Sequence, residues 1–418
     1  RPADVCGLPP RKERQLMSGQ AVAVAPAGTL KMQGIVVPNG VVDFANFCLL
    51  TERHTLQEQG AKVFAPTNTV PAQAQDTWEL RKSDILADCT IRIVGTVVIA
   101  LPTGTVATTA RWPYDIVKSL QFTANGASNL INASGWKLKA RHFMKKADLD
   151  DRGVSQTIGG TVRTQGTLSL ASESWGVGQN TSAIAAGTYN VDIAIPVDVA
   201  EDEVNLAGAI FLATSSSDLT LTVNWGQVAD LFTVTGTATV VLSLTATLES
   251  TKYSIPMDNG VMVLPNLNLF HSIQQSRTTA IGNGENEIRI VGQGAGKRLL
   301  RVFAQTWNGA VPAPLAVNDT NYGSLAWRYA TNEQPDTWTA QRLRERNEDW
   351  YNSDLGGFQG IWAIDFSVIS AFRDAPDMGT HGELRIVETI QSGVTLTTSP
   401  AAATEYVTET LYLAGQAA

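Results

Sequence analysis

Leu219-Thr220-Leu221-Thr222-Val223-Asn224-Trp225 alternates apolar and polar residues without a break. Successive side chains of a strand point to opposite faces, so this period means a strand with one buried face. The pattern recurs along the chain. Tyr189, Val191, Ile193 and Ile195 alternate with Asn190, Asp192 and Ala194. Val240, Leu242, Leu244, Ala246 and Leu248 alternate with Val241, Ser243, Thr245 and Thr247. Gly, Pro, Asn and Ser clusters separate these runs and supply the turns. The chain reads as all-β.

Working outward, Ile91 to Ile99 predicts a long strand that ends at Pro102-Thr103-Gly104. Further strands are expected near 116–122, 135–140, 161–170, 189–195, 219–225 and 240–248. About eight strands in two packed sheets make a jelly roll. At Lys252-Tyr253-Ser254-Ile255-Pro256 the pattern restarts, with strands expected at 261–264, 287–291, 299–306, 361–368 and 384–390. A helix interrupts this second set. Pro335 and Asp336 suit its first turn, and Ala340, Leu343 and Trp350 share one face. Trp338, Leu343 and Trp350 are the expected anchors of that helix on its sheet.

Residues 1–75 look like an arm. Prolines 2, 9, 10, 26, 38, 66 and 71 fragment them, with one short helix expected between 46 and 60. Residues 393–418 look like a second arm, with Tyr406, Val407, Leu411, Tyr412 and Leu413 as their apolar stretch. The expected architecture is two tandem eight-stranded jelly rolls, 76–250 and 251–392. A helix is inserted in the second, and extended arms flank the pair.

Composition narrows the functions. The 418 residues are 44% hydrophobic, and domains of this size bury roughly 70–75% of their unfolded surface. Disulfides are not needed for stability. Cys6, Cys48 and Cys89 have no metal-site spacing and read as reduced, buried thiols from a cytosolic site of synthesis. A net charge of -8 argues against wrapping DNA, which demands a dense basic surface. No apolar run approaches the ~20 residues of a membrane-spanning helix. The start, Arg1-Pro2-Ala3-Asp4, carries no hydrophobic signal core.

The chemical motifs are weak. Gly292-Gln293-Gly294-Ala295-Gly296-Lys297-Arg298 has Val291 where a phosphate loop needs its first Gly, and Arg298 where it needs Ser or Thr. It reads as a strand connection. His54, His142, His271 and His381 are scattered and form no zinc motif. Asp198, Glu201, Asp202 and Glu203 form an acidic cluster, read as a solvated loop rather than a calcium site. Trp136, Trp307, Trp327, Trp338, Trp350 and Trp362 read as packing residues. No catalytic, cofactor or metal site is expected.

Several segments together resemble the major capsid protein of tectiviruses, tailless bacteriophages with an internal membrane. Tyr114 to Phe122 followed by Asn132-Ala133-Ser134-Gly135-Trp136-Lys137-Leu138 resembles a strand, polar loop and Gly-Trp strand start in the family's first barrel. Ile195-Pro196-Val197, Asn205-Leu206-Ala207-Gly208-Ala209 and the 219–225 run resemble its Pro-marked strand, turn and long strand. Asn259-Gly260-Val261-Met262-Val263-Leu264-Pro265 resembles the opening of its second barrel. Pro335-Asp336-Thr337-Trp338-Thr339-Ala340-Gln341-Arg342 is similar to its helix start. The matches keep family order from about 76 to 390, and both arms fall outside them.

The resemblance implies a double jelly roll and a homotrimer with a pseudo-hexagonal footprint. It implies an icosahedral shell over a membrane enclosing double-stranded DNA. Partners would be the chain itself, penton and minor capsid or membrane proteins, and the membrane surface, without direct nucleic-acid binding. The location would be the virion capsid, after synthesis in the host cytoplasm. Arg11, Lys12 and Arg14 are the candidate contacts to lipid or to neighbouring subunits. The alternative from another class is a β-sandwich receptor-binding or spike protein of a virion. A third is a polysaccharide hydrolase with paired carboxylates in a groove.

Overall fold

The alternating runs at 189–195, 219–225 and 240–248 all form strands with one buried face. The computed structural model describes residues 30–32, 35–37, 44–70, 75–124, 128–146, 153–158, 161–164, 184–201, 206–213, 218–258, 261–265, 267, 269–291, 296–309, 313–329, 336–351, 356, 360–368, 375–381 and 383–413. Among these residues, no helix is long and apolar enough to cross a membrane.

The first unit contains helix α1 (Phe44–Leu50) and strands β1 (Arg53–Gln57), β2 (Lys62–Phe64), β3 (Gln75–Glu79), β4 (Ile85–Ala100), β5 (Val117–Ala124) and β6 (Ser128–Ala133). Helix α2 (Gly135–Lys146) and strands β7 (Gly153–Ile158), β8 (Thr161–Thr164), β9 (Gly187–Val197), β10 (Leu219–Trp225) and β11 (Thr239–Tyr253) follow. One sheet runs β8-β7-β9-β4-β11-β1, with β2 also on β11. A second layer runs β6-β5-β10-β3. Ile93, Phe122, Ile193, Leu221, Val223 and Leu244 fill the space between them.

The second unit contains β12 (Leu269–Arg277), β13 (Gly284–Val291), β14 (Lys297–Asn308), β15 (Tyr322–Tyr329), β16 (Asp336–Trp338), α3 (Ala340–Tyr351), β17 (Ile361–Asp365), β18 (Glu383–Ile390) and β19 (Ala403–Leu413). Its outer sheet runs β13-β18-β15-β16, and its inner layer runs β12-β19-β14, with β17 on β14. Val302, Leu325, Trp362, Ile364, Leu384 and Ile386 form its core. The inner layers of the two units are one continuous sheet. β6 and β12 pair in parallel through Ile131 with Ile273 and Asn132 with Gln274.

Four expectations change. Residues 393–418 are not simply an arm, because β19 lies between β12 and β14 and pairs with both. Residues 53–57 and 62–64, assigned to the N-terminal arm, pair with β11 inside the first unit's sheet. The short helix expected over 46–60 stops at Leu50, and β1 follows it. The strand expected at 135–140 is helix α2. Trp136, Leu138 and Ala140 mimic a strand period, but Trp136, Ala140 and Met144 recur every fourth residue and are all buried. Ser134 caps the helix, its Oγ accepting from Lys137 N–H at 3.3 Å. Gly135 lets α2 start against the first unit. A Cβ there would meet the Tyr114 carbonyl oxygen at 2.3 Å.

Candidate functional site in the seam between the barrels

Helix α2 places Lys137, Arg141 and Lys145 on one face, four residues apart. That face meets the inner sheet of the second unit. Alternation along β14 and β19 aims Arg301, Phe303, Gln305 and Trp307, with Glu405, Val407 and Glu409, at the first unit. On that sheet the partners that α2's cations meet are Gln305, Glu405 and Glu409.

Glu409 is the hub and is 0% exposed. Arg141 grips it with Nε at 2.9 Å from Oε2 and Nη2 at 2.5 Å from Oε1. Arg301 Nη1 lies 3.3 Å from both oxygens, and His271 Nε2 lies 2.8 Å from Oε1. Asp198 takes Arg141 Nη1 and sits 3.1 Å from His142 Nδ1. Glu201 accepts from Arg301 Nη2 at 2.7 Å and from Lys145 Nζ at 3.0 Å. Asp365 pairs with Arg301 Nε at 2.8 Å and accepts the Tyr351 hydroxyl at 2.5 Å.

Burial alone would raise the Glu409 pKa, but Arg141, Arg301 and Lys145 hold it well below the ordinary carboxylate range. Glu201 faces the same contest, and Lys145 with Arg301 brings it down to about 2. Burial is the largest influence on Arg141 and Arg301 and works against their charge. The Glu409 carboxylate outweighs it with Asp198 or Asp365, so both stay cationic. Burial lifts the Tyr351 hydroxyl well above its usual range, with Asp365 adding to the shift. This arrangement is a set of fixed charges locked across two barrels.

A second patch continues the seam. Arg111 Nη2 donates to Glu405 at 2.8 Å, and its guanidinium stacks 4.3 Å over the Trp307 ring. Trp307 Nε1 donates to the other Glu405 oxygen at 2.9 Å. Lys137 Nζ donates to Gln305 Oε1 at 2.5 Å, and Trp136 Nε1 donates to the same oxygen at 3.0 Å. Burial pushes Asp115 up to about 6, against the pull of Arg111. Inside the second core, Glu388 meets no such cation among the described residues. Thr306 and Thr404 hydroxyls donate to it at 3.1 and 2.5 Å, and burial pushes it up to about 7.

Arg11, Lys12 and Arg14 lie outside the described residues. Trp338 and Leu343 are buried in the second core. Trp350 is half-buried, lies against the first core, and carries Arg346 4.3 Å over its ring. Of the acidic cluster, Asp198 and Glu201 are buried ion-pair partners rather than a solvated loop; Asp202 and Glu203 lie outside the described residues. His142 and His271, distant in sequence, meet in this network. Among the described residues, no group of three or more His, Cys, Asp or Glu is placed to hold a metal ion. Cys89 is buried, whereas Cys48 is exposed on α1. Residues 292–295 lie outside the described residues, and Lys297 opens β14.

Sequence reasoning passed over α2, Glu405 and Glu409. The available signals were the four-residue spacing of Lys137, Arg141 and Lys145 and the matching spacing of Glu405 and Glu409. Neither is apolar, so neither registers in a search for buried faces.

No family model and no curated protein matches this chain. Solved structures do. The MCP of STIV superposes with a TM-score of 0.60 at 13% identity, over 87% of this chain and 97% of that one. The atomic structure of Sulfolobus Turreted Icosahedral Virus contributes a chain at TM-score 0.59 and 13% identity, covering 87% and 92%. The capsid of the virus PBCV-1 matches at TM-score 0.53 and 9% identity, covering 88% and 95%. The fold of this chain is a double jelly roll, and its structural neighbours are viral major capsid proteins.

Proposed function

We propose that this chain is the major capsid protein of an icosahedral virus. The observation that carries this reading is end-to-end coverage: two barrels in one chain align over nearly the full length of the STIV MCP. An enzyme or a spike built on a single β-sandwich has no need of a paired, internally locked frame. A shell tile does, because it must keep one outline in every copy. The buried seam supports that role. Removing one partner from such a network is expensive, which penalises any other docking of the barrels.

The finer reading follows the sequence resemblance. Three chains form a closed ring of six barrels, a pseudo-hexagonal capsomer that tiles a tectivirus-type shell over an internal membrane. Closed rings need a contact repeated by rotation. Obligate interfaces commonly bury more than about 2,000 Å², so the trimer should persist on dilution. Sedimentation equilibrium should give three times the 44.7 kDa chain mass. A concentration-independent monomer would overturn the trimer.

Arg11, Lys12 and Arg14 serve assembly in this proposal, by contact with neighbouring subunits or lipid phosphates. Deleting residues 1–20 should leave the melting temperature and the trimer nearly unchanged while lowering the yield of shells in co-expressing cells. Loss of the trimer on that deletion would place these residues in the subunit's own fold instead.

A further inference from the structure

Lys137 is a lysine in an unusual setting. It is 6% exposed, and its near partner is a neutral amide, Gln305 Oε1 at 2.5 Å, rather than a carboxylate. Glu405 Oε2 stands back at 3.8 Å. Gln305 is 0% exposed, and the indole N–H of Trp136 donates to the same carbonyl oxygen at 3.0 Å. The Trp307 ring closes the site 5.7 Å from Nζ. An amine, a carboxamide polarised by a second donor, and a carboxylate within reach are thus enclosed together away from water. Lys137 belongs to α2 of the first barrel, and Gln305 to β14 of the second.

We propose that Lys137 and Gln305 join in an isopeptide bond that welds the two barrels. The neutral Lys137 amine attacks Cδ of Gln305, and the carbonyl electron pair moves onto Oε1, where the Trp136 N–H holds the developing charge. Glu405 takes a proton from the attacking nitrogen and delivers it to Nε2. The Cδ–Nε2 bond then breaks and ammonia leaves. One amine and one primary amide become one secondary amide and one ammonia, with no oxidant or cofactor. Burial brings the Lys137 pKa down to about 7; Arg111 adds to the fall, and Glu405 opposes it. Near neutral pH a large share of the side chain is therefore the free nucleophile. The weld lies in the subunit, so it stands or falls independently of the capsid reading.

The test is intact-mass spectrometry of the purified full-length protein, followed by proteolysis and peptide mapping. The expected result is a mass lower than that of the sequence by one ammonia, with the loss mapped to a linked pair of peptides carrying Lys137 and Gln305. Lys137→Arg keeps a cation and should return the full mass. Glu405→Gln should leave a larger unlinked fraction at equal incubation time. A native protein at full sequence mass, with both peptides recovered separately, overturns the bond. So does an ammonia loss mapped to another site, such as a cyclised Asn or Gln. Complete linkage in Glu405→Gln overturns the proton-transfer role given to Glu405.

Discussion

β9 in the first barrel and β19 in the second are each eleven residues long, and they sit in matched surroundings with a strand on either side. From Tyr189 to Ile195, β9 alternates buried and half-exposed residues, and its sequence alternates with them. β19 is buried at both Thr404 and Glu405, at both Thr408 and Glu409, and at Thr410 and Leu411. One of its faces packs on its own core, and the other meets α2 across the seam. Apolar alternation reports burial against a barrel's own core. It says nothing of burial against a second barrel when that burial is carried by charges.

The largest effect should follow from breaking the seam at its hub. Glu409→Ala leaves Arg141 and Arg301 buried without their shared carboxylate. Such losses cost about 3–5 kcal/mol, a large part of an ordinary stability of about 5–15 kcal/mol. Denaturant unfolding should show that loss, or no folded protein should be recovered. A change under about 1 kcal/mol would mean that the seam behaves like exposed surface.

Helix α3 comes next. Leu343 is buried in the second core, so Leu343→Ala should cost about 2–5 kcal/mol. Trp350 is only half-buried, so Trp350→Ala should cost less than that, read from the same unfolding curves. The reverse order would mean that the helix's main anchor is Trp350 and the first barrel.

Glu388 gives a pH-dependent contrast to Glu409. The unfolded carboxyl releases its proton in the ordinary carboxylate range, while the folded one keeps it to about 7. Its contribution is therefore full at acid pH, falls as pH rises through that interval, and is flat above it. The fall is roughly 3 kcal/mol at most. Glu388→Gln, which cannot ionise, should be more stable than the parent above pH 7 and should lose the advantage towards pH 4. A pH-independent difference between the two would contradict a buried carboxyl held by hydroxyls alone.

The smallest effect belongs to the outer sheet of the first barrel. Arg92 pairs with Asp192 at 3.1 Å, but its side chain is 45% exposed. Arg92→Ala should change stability by about 0.2–1 kcal/mol. The same kind of bond would then differ several-fold between the two regions, with burial as the cause.

Much of the frame was legible. β4, β9, β10 and β11 carry the period of a half-buried strand, but the restart read at 252–256 begins inside β11, which runs on to Tyr253. The helix after Pro335 was legible except in its start. Asp336–Trp338 is a strand, and the helix begins at Ala340, where the Thr339 Oγ1 accepts from Arg342 N–H at 3.3 Å. The seam was not legible, for a physical reason. Lys137, Arg141, Lys145, Glu405 and Glu409 are residue types that are buried only when paired, and their partners lie between 56 and 294 residues away. Asp198 and Glu201 look like a wet loop until α2 and β14 come over them.

We propose this double barrel as the repeated tile of a viral shell. Cryo-electron microscopy of the purified native assembly tests it most directly. The expected result is an icosahedral particle whose faces are tiled by pseudo-hexagonal trimers into which this chain fits as two adjacent barrels. A particle carrying the chain only as isolated projections at a few vertices, with its faces built from another protein, would contradict it.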